Sequence, residues 1–131
     1  MAANPLDAYK QVDKTTLNGR ELEASVLVKS AMALKECQDN WNAADRDEML
    51  QLAIKYNQMI WSIFQSELAQ GTNPLPHNIR EDLLNLSAFV DKQSLQVLAF
   101  PSPEKLTILI NININIAAGL RASAVEAPKN P

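Results

Sequence analysis

The chain has 131 residues, 47% of them apolar and 21% charged, with a formal net charge of -3. That is the size and composition of one water-compatible domain with a real core, and the acidic balance disfavours a surface that tracks phosphates. Three glycines are too few for the many tight turns of a β-rich fold, and one cysteine, Cys37, excludes an intramolecular disulfide and fits a reducing compartment.

The start, Met1-Ala2-Ala3-Asn4-Pro5, lacks the basic and apolar regions of a secretory signal, and no run approaches the 18 apolar residues of a membrane span. The expected location is the cytoplasm. Residues 1–17 read as a short N-terminal helix and linker, with Leu6, Tyr9 and Val12 at helical spacing; Tyr9 either docks this segment on the body or leaves it as a tail. The first long helix is expected from about Asn18 or Gly19 to Asp39, with Leu22, Val26, Ala33 and Cys37 along one face, flanked by Leu27, Leu34 and Trp41.

A second helix is expected from Asp45 to Gln70. Asp45 and Glu48 have capping-box spacing, and Gly71 stands where a helix commonly ends. Met49, Leu52, Ala53, Tyr56, Ile60, Ile63 and Phe64 form its stripe, widened by Leu50, Trp61 and Leu68, so this helix should touch two neighbours. Asn73-Pro74-Leu75-Pro76 is a rigid connector. Beyond it a third long helix is expected, capped by Asn78 with Glu81 and seamed by Ile79, Leu83, Leu86, Val90 and Val97.

Phe100-Pro101-Ser102-Pro103 breaks the chain again. The stretch from Ile108 to Ile116 then alternates isoleucine with leucine or asparagine, which taken alone is a strand signature. A lone strand needs a partner that the chain does not offer, so the stretch is expected to be helical. Leu106, Leu109, Ile110, Ile112, Ile116 and Leu120 then cover one broad face, Asn111 and Asn115 lie outside it, and Asn113 falls at its centre. Ile108 and Ile114 sit at the edges of that arc. Either the helix is central to the fold, or one edge is left open as a groove for a partner helix. Asn113 either fixes register inside the bundle or faces and orients a partner. The expected architecture is all-α, a single compact bundle of four to five helices over residues 18–121, with a disordered tail at 122–131.

Chemistry-bearing residues are sparse. His77 stands alone at a helix start with no metal-ligand spacing around it. Cys37 lies on an apolar face, where a thiol is inert. The acid pairs Asp45 with Asp47 and Glu81 with Asp82 sit at helix starts, where the dipole favours negative charge. No nucleophile elbow or glycine-rich phosphate loop is present. The expectation is a protein that binds macromolecules: not an enzyme, and with no cofactor or metal. Trp61, Phe64, Phe89, Ile110, Asn113 and Ile114 are the candidate partner-binding residues, as core or as interface anchors.

Several segments share an order and spacing with a known family. Arg20-Glu21-Leu22-Glu23-Ala24 resembles an R-x-x-E-A start, and Asn57 to Phe64 resembles an N-x-x-L-W-x-x-F element. Leu75-Pro76 with Ile79, Arg80, Leu83, Leu86, Ser87 and Val90 resembles a third element, and Leu109 to Leu120 an L-I-x-I-N-x-x-I-M-x-G-L ending. Together, over roughly residues 5 to 121, they resemble the bacterial flagellar biosynthesis regulator FlaF family, with Phe89 where the family often has tryptophan and Ala117 where methionine is usual. The resemblance implies control of flagellin synthesis together with the translation regulator FlbT, and binding of flagellin as an export chaperone. Flagellin's amphipathic terminal helices would be held by helix-in-groove recognition near Trp61, Phe89, Ile110 and Ile114. Two other readings stand beside it. A direct mRNA-binding regulator of flagellin translation would need a basic patch from Lys10, Lys14, Arg20 and Lys29. An assembly protein would bury its apolar excess in a homodimer.

Overall fold

A computed structural model describes residues 16–126, with side chains from 19 to 122. Four α-helices follow one another: α1 (Thr16–Asp39), α2 (Arg46–Ala69), α3 (His77–Ala99) and α4 (Leu106–Glu126). A single 3₁₀ turn, Pro103–Lys105, leads into α4. Among the described residues there is no strand, so the count is four helices. The expected N-terminal helix and linker at 1–17 lies outside the described residues except for Thr16 and Leu17, which already belong to α1. Helix α4 runs to Glu126, so the backbone at 122–126 is helical where a tail was expected; 127–131 lie outside the described residues.

The Ile/Asn stretch is helical throughout. The 3.6-residue period explains why. It sends Asn111 and Asn115 to the exposed side together and Asn113 to the opposite, buried side with Leu106, Leu109 and Ala117. Isoleucine and asparagine contribute little intrinsic helix propensity, so α4 is held by what it packs against. Its main neighbour is α1, which runs antiparallel to it along its length. Gln38 Nε2 donates to Pro103 O at 2.8 Å and to Thr107 Oγ1 at 3.0 Å at one end, and Arg121 pairs with Glu21 at 3.5 Å at the other. This register brings Ala24 level with Ala117. With Ser30 and Ala31 also fully buried on α1, small side chains let the two helices approach closely.

Helix α2 packs on α1, and α3 on α2. The core of α1 and α2 lies about a quarter-turn away from the stripes expected from the sequence. On α1 the buried positions are Ala24, Leu27, Ala31, Leu34 and Cys37, whereas Leu22 is exposed. On α2 they are Leu50, Ala53, Ile54, Asn57, Ile60, Trp61 and Leu68, whereas Leu52 and Ile63 are exposed. On α3 the seam is Ser87, Val90, Ser94 and Val97, with Ile79 exposed. A polar residue in each true seam (Ser30, Asn57, Ser87, Ser94) interrupts the apolar pattern, which is why periodicity chose the neighbouring stripe.

The helix ends also depart from the expected signals. Asp45 does flank α2, but its side chain makes no capping bond. Pro76 precedes α3, so Asn78 and Glu81 lie inside that helix and form no capping box. Gly71 does not adopt a left-handed conformation. The exposed carbonyl of Glu67 at the end of α2 is met instead by Asn73 Nδ2 at 3.0 Å, while Asn73 Oδ1 accepts from Leu75 N at 3.0 Å. The connector is thereby folded back against the end of the helix it leaves.

Candidate functional site

Two features of the bundle bear on function, a buried polar core and the open surfaces it leaves. The core is a chain of hydrogen bonds through three helices. Trp61 Nε1 donates to Asn113 Oδ1 at 3.0 Å; Asn113 Nδ2 donates to Asn57 Oδ1 at 2.7 Å and reaches Leu27 O at 3.4 Å. Ser30 Oγ donates to the same Asn57 Oδ1 at 2.9 Å. The direction of the chain follows from one group. An indole N–H can only donate, so Asn113 must turn its oxygen to Trp61 and its amide to Asn57, which must in turn present its oxygen. Asn57 Nδ2 is left buried without a partner. Asn113 is 0% exposed. It therefore ties α4 to α1 and α2 from a position enclosed within the bundle.

The other candidate residues divide. Trp61 is buried, and Phe64 meets its ring edge-on, with centroids 5.8 Å apart and planes at 80°. Ile110 is half-buried against the core. Phe89 and Ile114 are exposed, on α3 and α4 respectively. The structure thus brings Trp61, Phe64 and Asn113 together, and Phe89 and Ile114 line neither of the concavities described below.

The first concavity is a groove between α1 and α2 with a volume of about 380 Å³. Ala33 and Ala53 form its floor, Met49, Leu52 and Tyr56 one wall, and Lys29 and Glu36 the other rim. Lys29 Nζ sits 5.9 Å from the Tyr56 ring centroid. The wall continues along α2. Met49, Leu52, Tyr56, Met59 and Ile63 recur at alternating spacings of three and four residues, which is the seam of a helix that expects another helix. Leu52 is 67%, Met59 52% and Ile63 53% exposed. On α1, Leu22 and Val26 extend the facing side. Apart from Met59, these residues belong to the stripes that periodicity assigned to the core, together with Ala53 and Ile60, which are buried. The signal was read correctly as apolar seams, and what it could not tell was which of two adjacent seams on each helix stays open.

The second concavity, about 290 Å³, lies at the end of the bundle where α1 begins. Trp61, Phe64, Leu68 and Leu120 form an apolar wall, Asn73 to Leu75 of the connector form a rim, and Arg20, Glu23 and Glu67 supply charge. Arg20 Nη1 stands 3.6 Å from Glu23 Oε1, while Arg20 Nε is buried with no hydrogen-bond partner. Burial pushes the Glu23 carboxyl above the usual carboxylate range; Arg20 opposes this and Glu67 adds to it. Sequence reasoning missed this site: Arg20 and Glu23 stand in the R-x-x-E-A element, but Glu67, the Asn73–Leu75 connector and Leu120 that complete the pocket come from distant parts of the chain.

Arg20, one of the four residues of the expected basic patch, is turned into this pocket, and Lys29 lies on the groove rim; Lys10 and Lys14 are outside the described residues. His77 is exposed and pairs with Glu81 at 3.4 Å. Asp47 and Glu48 fall in the first turn of α2, where the dipole accounts for them, but the first turn of α3 holds no acid. Burial pushes the Cys37 thiol upward, with Arg46 opposing and Asp45 reinforcing the shift. Among the described residues, no group of three or more metal-ligating side chains stands together, and no helix is long and apolar enough to cross a membrane.

Compared with known proteins, residues 5–120 match the family model described as flagellar protein FlaF, so the chain belongs to the FlaF family. That membership places it in flagellar biogenesis. No curated protein and no solved structure matches the chain.

Proposed function

From membership of a flagellar family, we propose that this chain is a flagellin-binding export chaperone and regulator of flagellin synthesis, and that it holds an amphipathic helix of flagellin in the α1–α2 groove. One observation carries the reading: the five-residue seam from Met49 to Ile63 has the spacing of a helix-packing stripe, and three of its members, Leu52, Met59 and Ile63, are more than half exposed, with Met49 and Tyr56 partly buried between them. Singly exposed apolar residues are ordinary, but a contiguous row at heptad spacing is the template for helix-in-groove recognition. Two of its members are methionines, whose flexible, polarisable side chains adapt to an imperfect partner surface. A disordered flagellin terminus that orders on this seam spends part of the contact energy on ordering, so binding stays reversible enough for hand-over to an export machine.

The test is calorimetry and size-exclusion of the full chain with monomeric flagellin, alongside Leu52→Glu with Met59→Glu. Both positions are exposed, so helicity should be unchanged while affinity falls by more than about tenfold, the effect of losing one good anchor. No complex at concentrations of about 10–50 µM, a weak-affinity limit, or undiminished binding by the double variant, refutes the reading.

A further inference from the structure

The α1–α2 groove carries a charge pattern as well as an apolar floor. On α1, Lys29 and Glu36 stand on its rim, seven residues apart. On α2, Glu48 and Lys55 are exposed just outside Leu52 and Met59, and they too are seven residues apart. The two helices run antiparallel: Lys29 Nζ sits 5.9 Å from the Tyr56 ring centroid, and Glu36 lines the groove with Met49. The reversed order of the charges on α2 therefore sets like beside like. Lys29 and Lys55 stand level as a basic belt across the groove, and Glu36 and Glu48 form an acidic belt about 10 Å, or two turns, further along. None of the four is in an ion pair among the described residues.

A helix lying in this groove has one flank of its apolar stripe toward each rim. Charges beside such a stripe set partner and register in helix pairs, and like charges placed opposite each other exclude the wrong ones. Sliding the helix by one heptad keeps its stripe seated but brings acid against acid or base against base. The belts thus separate registers that the apolar seam alone leaves equivalent.

Resting on the helix-in-groove reading above, we propose that the occupant is an amphipathic helix with carboxylates on both flanks of its apolar stripe and cations on both flanks one heptad nearer its C-terminus, lying parallel to α1. Its acids meet the basic belt and its cations the acidic belt. A helix favours this acid-first order intrinsically, because its dipole and its own i,i+4 pairs are best served by carboxylates N-terminal to cations. Laid in the groove, that order runs from Lys29 toward Glu36, the direction of α1. A second copy of this chain fits less well. Its α2 offers Glu48 and Lys55 on one flank only, since Ala53 and Ile60 on the other are buried in its own bundle.

Three synthetic peptides with one apolar stripe in common test this on the full chain. The first carries the acid-then-base flanks, the second acids at both levels, and the third cations at both levels. Calorimetry at low salt should give the first at least about tenfold tighter binding than either other, the sum of several weak surface pairs made or reversed. The gap should shrink as salt screens it. Reversing the basic belt with Lys29→Glu and Lys55→Glu, both exposed, should move the preference to the third peptide, whereas a damaged fold would weaken all three alike. A nitroxide at the N-terminus of the first peptide should broaden amide signals at 22–26 more than those at 36–40. Equal affinities, no binding of any peptide at about 50 µM, an unmoved preference in the double variant, or the opposite broadening overturns the proposal. So does a concentration-dependent dimer that the first peptide fails to dissociate. Flagellin is measured separately: flagellin held by a groove that does not discriminate the peptides removes the belts alone, and a discriminating groove that ignores flagellin removes the flagellin assignment alone.

Discussion

Replacing Asn113 with alanine isolates the polar core from everything else in the bundle. The substitution removes the acceptor that the buried Trp61 indole N–H has among the described residues, and one of the two donors to Asn57 Oδ1 there. Leaving a buried donor unsatisfied costs about 1–3 kcal/mol, and the small void left in a fully enclosed site adds about 1 kcal/mol. The expected loss is therefore about 3 kcal/mol. Against a total stability of about 5–15 kcal/mol this is large, and at roughly 3–5 °C per kcal/mol for a domain of this size it lowers Tm by about 10–15 °C. Urea unfolding followed by circular dichroism at constant m-value measures it, with Asn115→Ala on the exposed face as the control, expected within about 0.5 kcal/mol of the parent. The assignment to Trp61 is tested by a double-mutant cycle. In a Trp61→Phe background the donor is gone, so Asn113→Ala should cost about 1–3 kcal/mol less than in the parent. A cost for Asn113→Ala below about 1 kcal/mol, or strict additivity in the cycle, refutes the account of the network.

Three further outcomes follow from individual side chains. Ile114→Asp alters an edge that is already partly open, so the chain should stay folded with a loss of about 1–2 kcal/mol from the buried fraction of the isoleucine; collapse of the helical signal would mean that the edge is covered. Ser87 Oγ is buried with no partner, so Ser87→Ala should be neutral or stabilising by up to about 1 kcal/mol in the same urea assay, and a clear loss would reveal a partner for that hydroxyl. Glu23 has its carboxyl raised by burial, so in the fold it holds its proton to higher pH than in the unfolded chain. Its favourable contribution is complete below its unfolded value and is lost as pH rises through the folded one. Glu23→Gln should therefore gain Tm relative to the parent on going from acid to neutral pH; a difference that falls over that range contradicts the burial argument. Glu104, held low by its own backbone N–H and then by the Ser102 hydroxyl, has the opposite pH sign and is common to both chains, so it cancels in that difference.

How far the sequence disclosed this molecule depended on which physical effect was decisive at each point. The helical nature of the Ile/Asn stretch was legible, because an isolated alternating segment has no sheet to join, and the wheel then placed Asn113 inside and Asn111 and Asn115 outside. Helix boundaries were legible to within a few residues from Pro74, Pro76, Pro101 and Pro103, which forbid continuation regardless of tertiary context. Capping was not. Asp45 and Asn78 carry the right side chains, but Asn73 and Pro76 took the positions that mattered once the connector folded back.

The open seam was misread for a deeper reason. Hydrophobic periodicity measures how apolar a face is, and a face that packs inside one subunit and a face that packs on a partner have the same periodicity. On α1 and α2 the inner seam is diluted by Ser30 and Asn57, which bond to each other and, through Asn57 Oδ1, to Asn113 from a distant part of the chain. The outer seam has no such dilution on α2, so Met49, Leu52, Tyr56, Met59 and Ile63 look more like core than the core does. That outer stripe is more regular and more apolar than the one it lies beside, yet Leu52, Met59 and Ile63 on it remain exposed. The polar atoms inside are therefore part of the same design: they fix the bundle in one register, and that register decides which seam stays free.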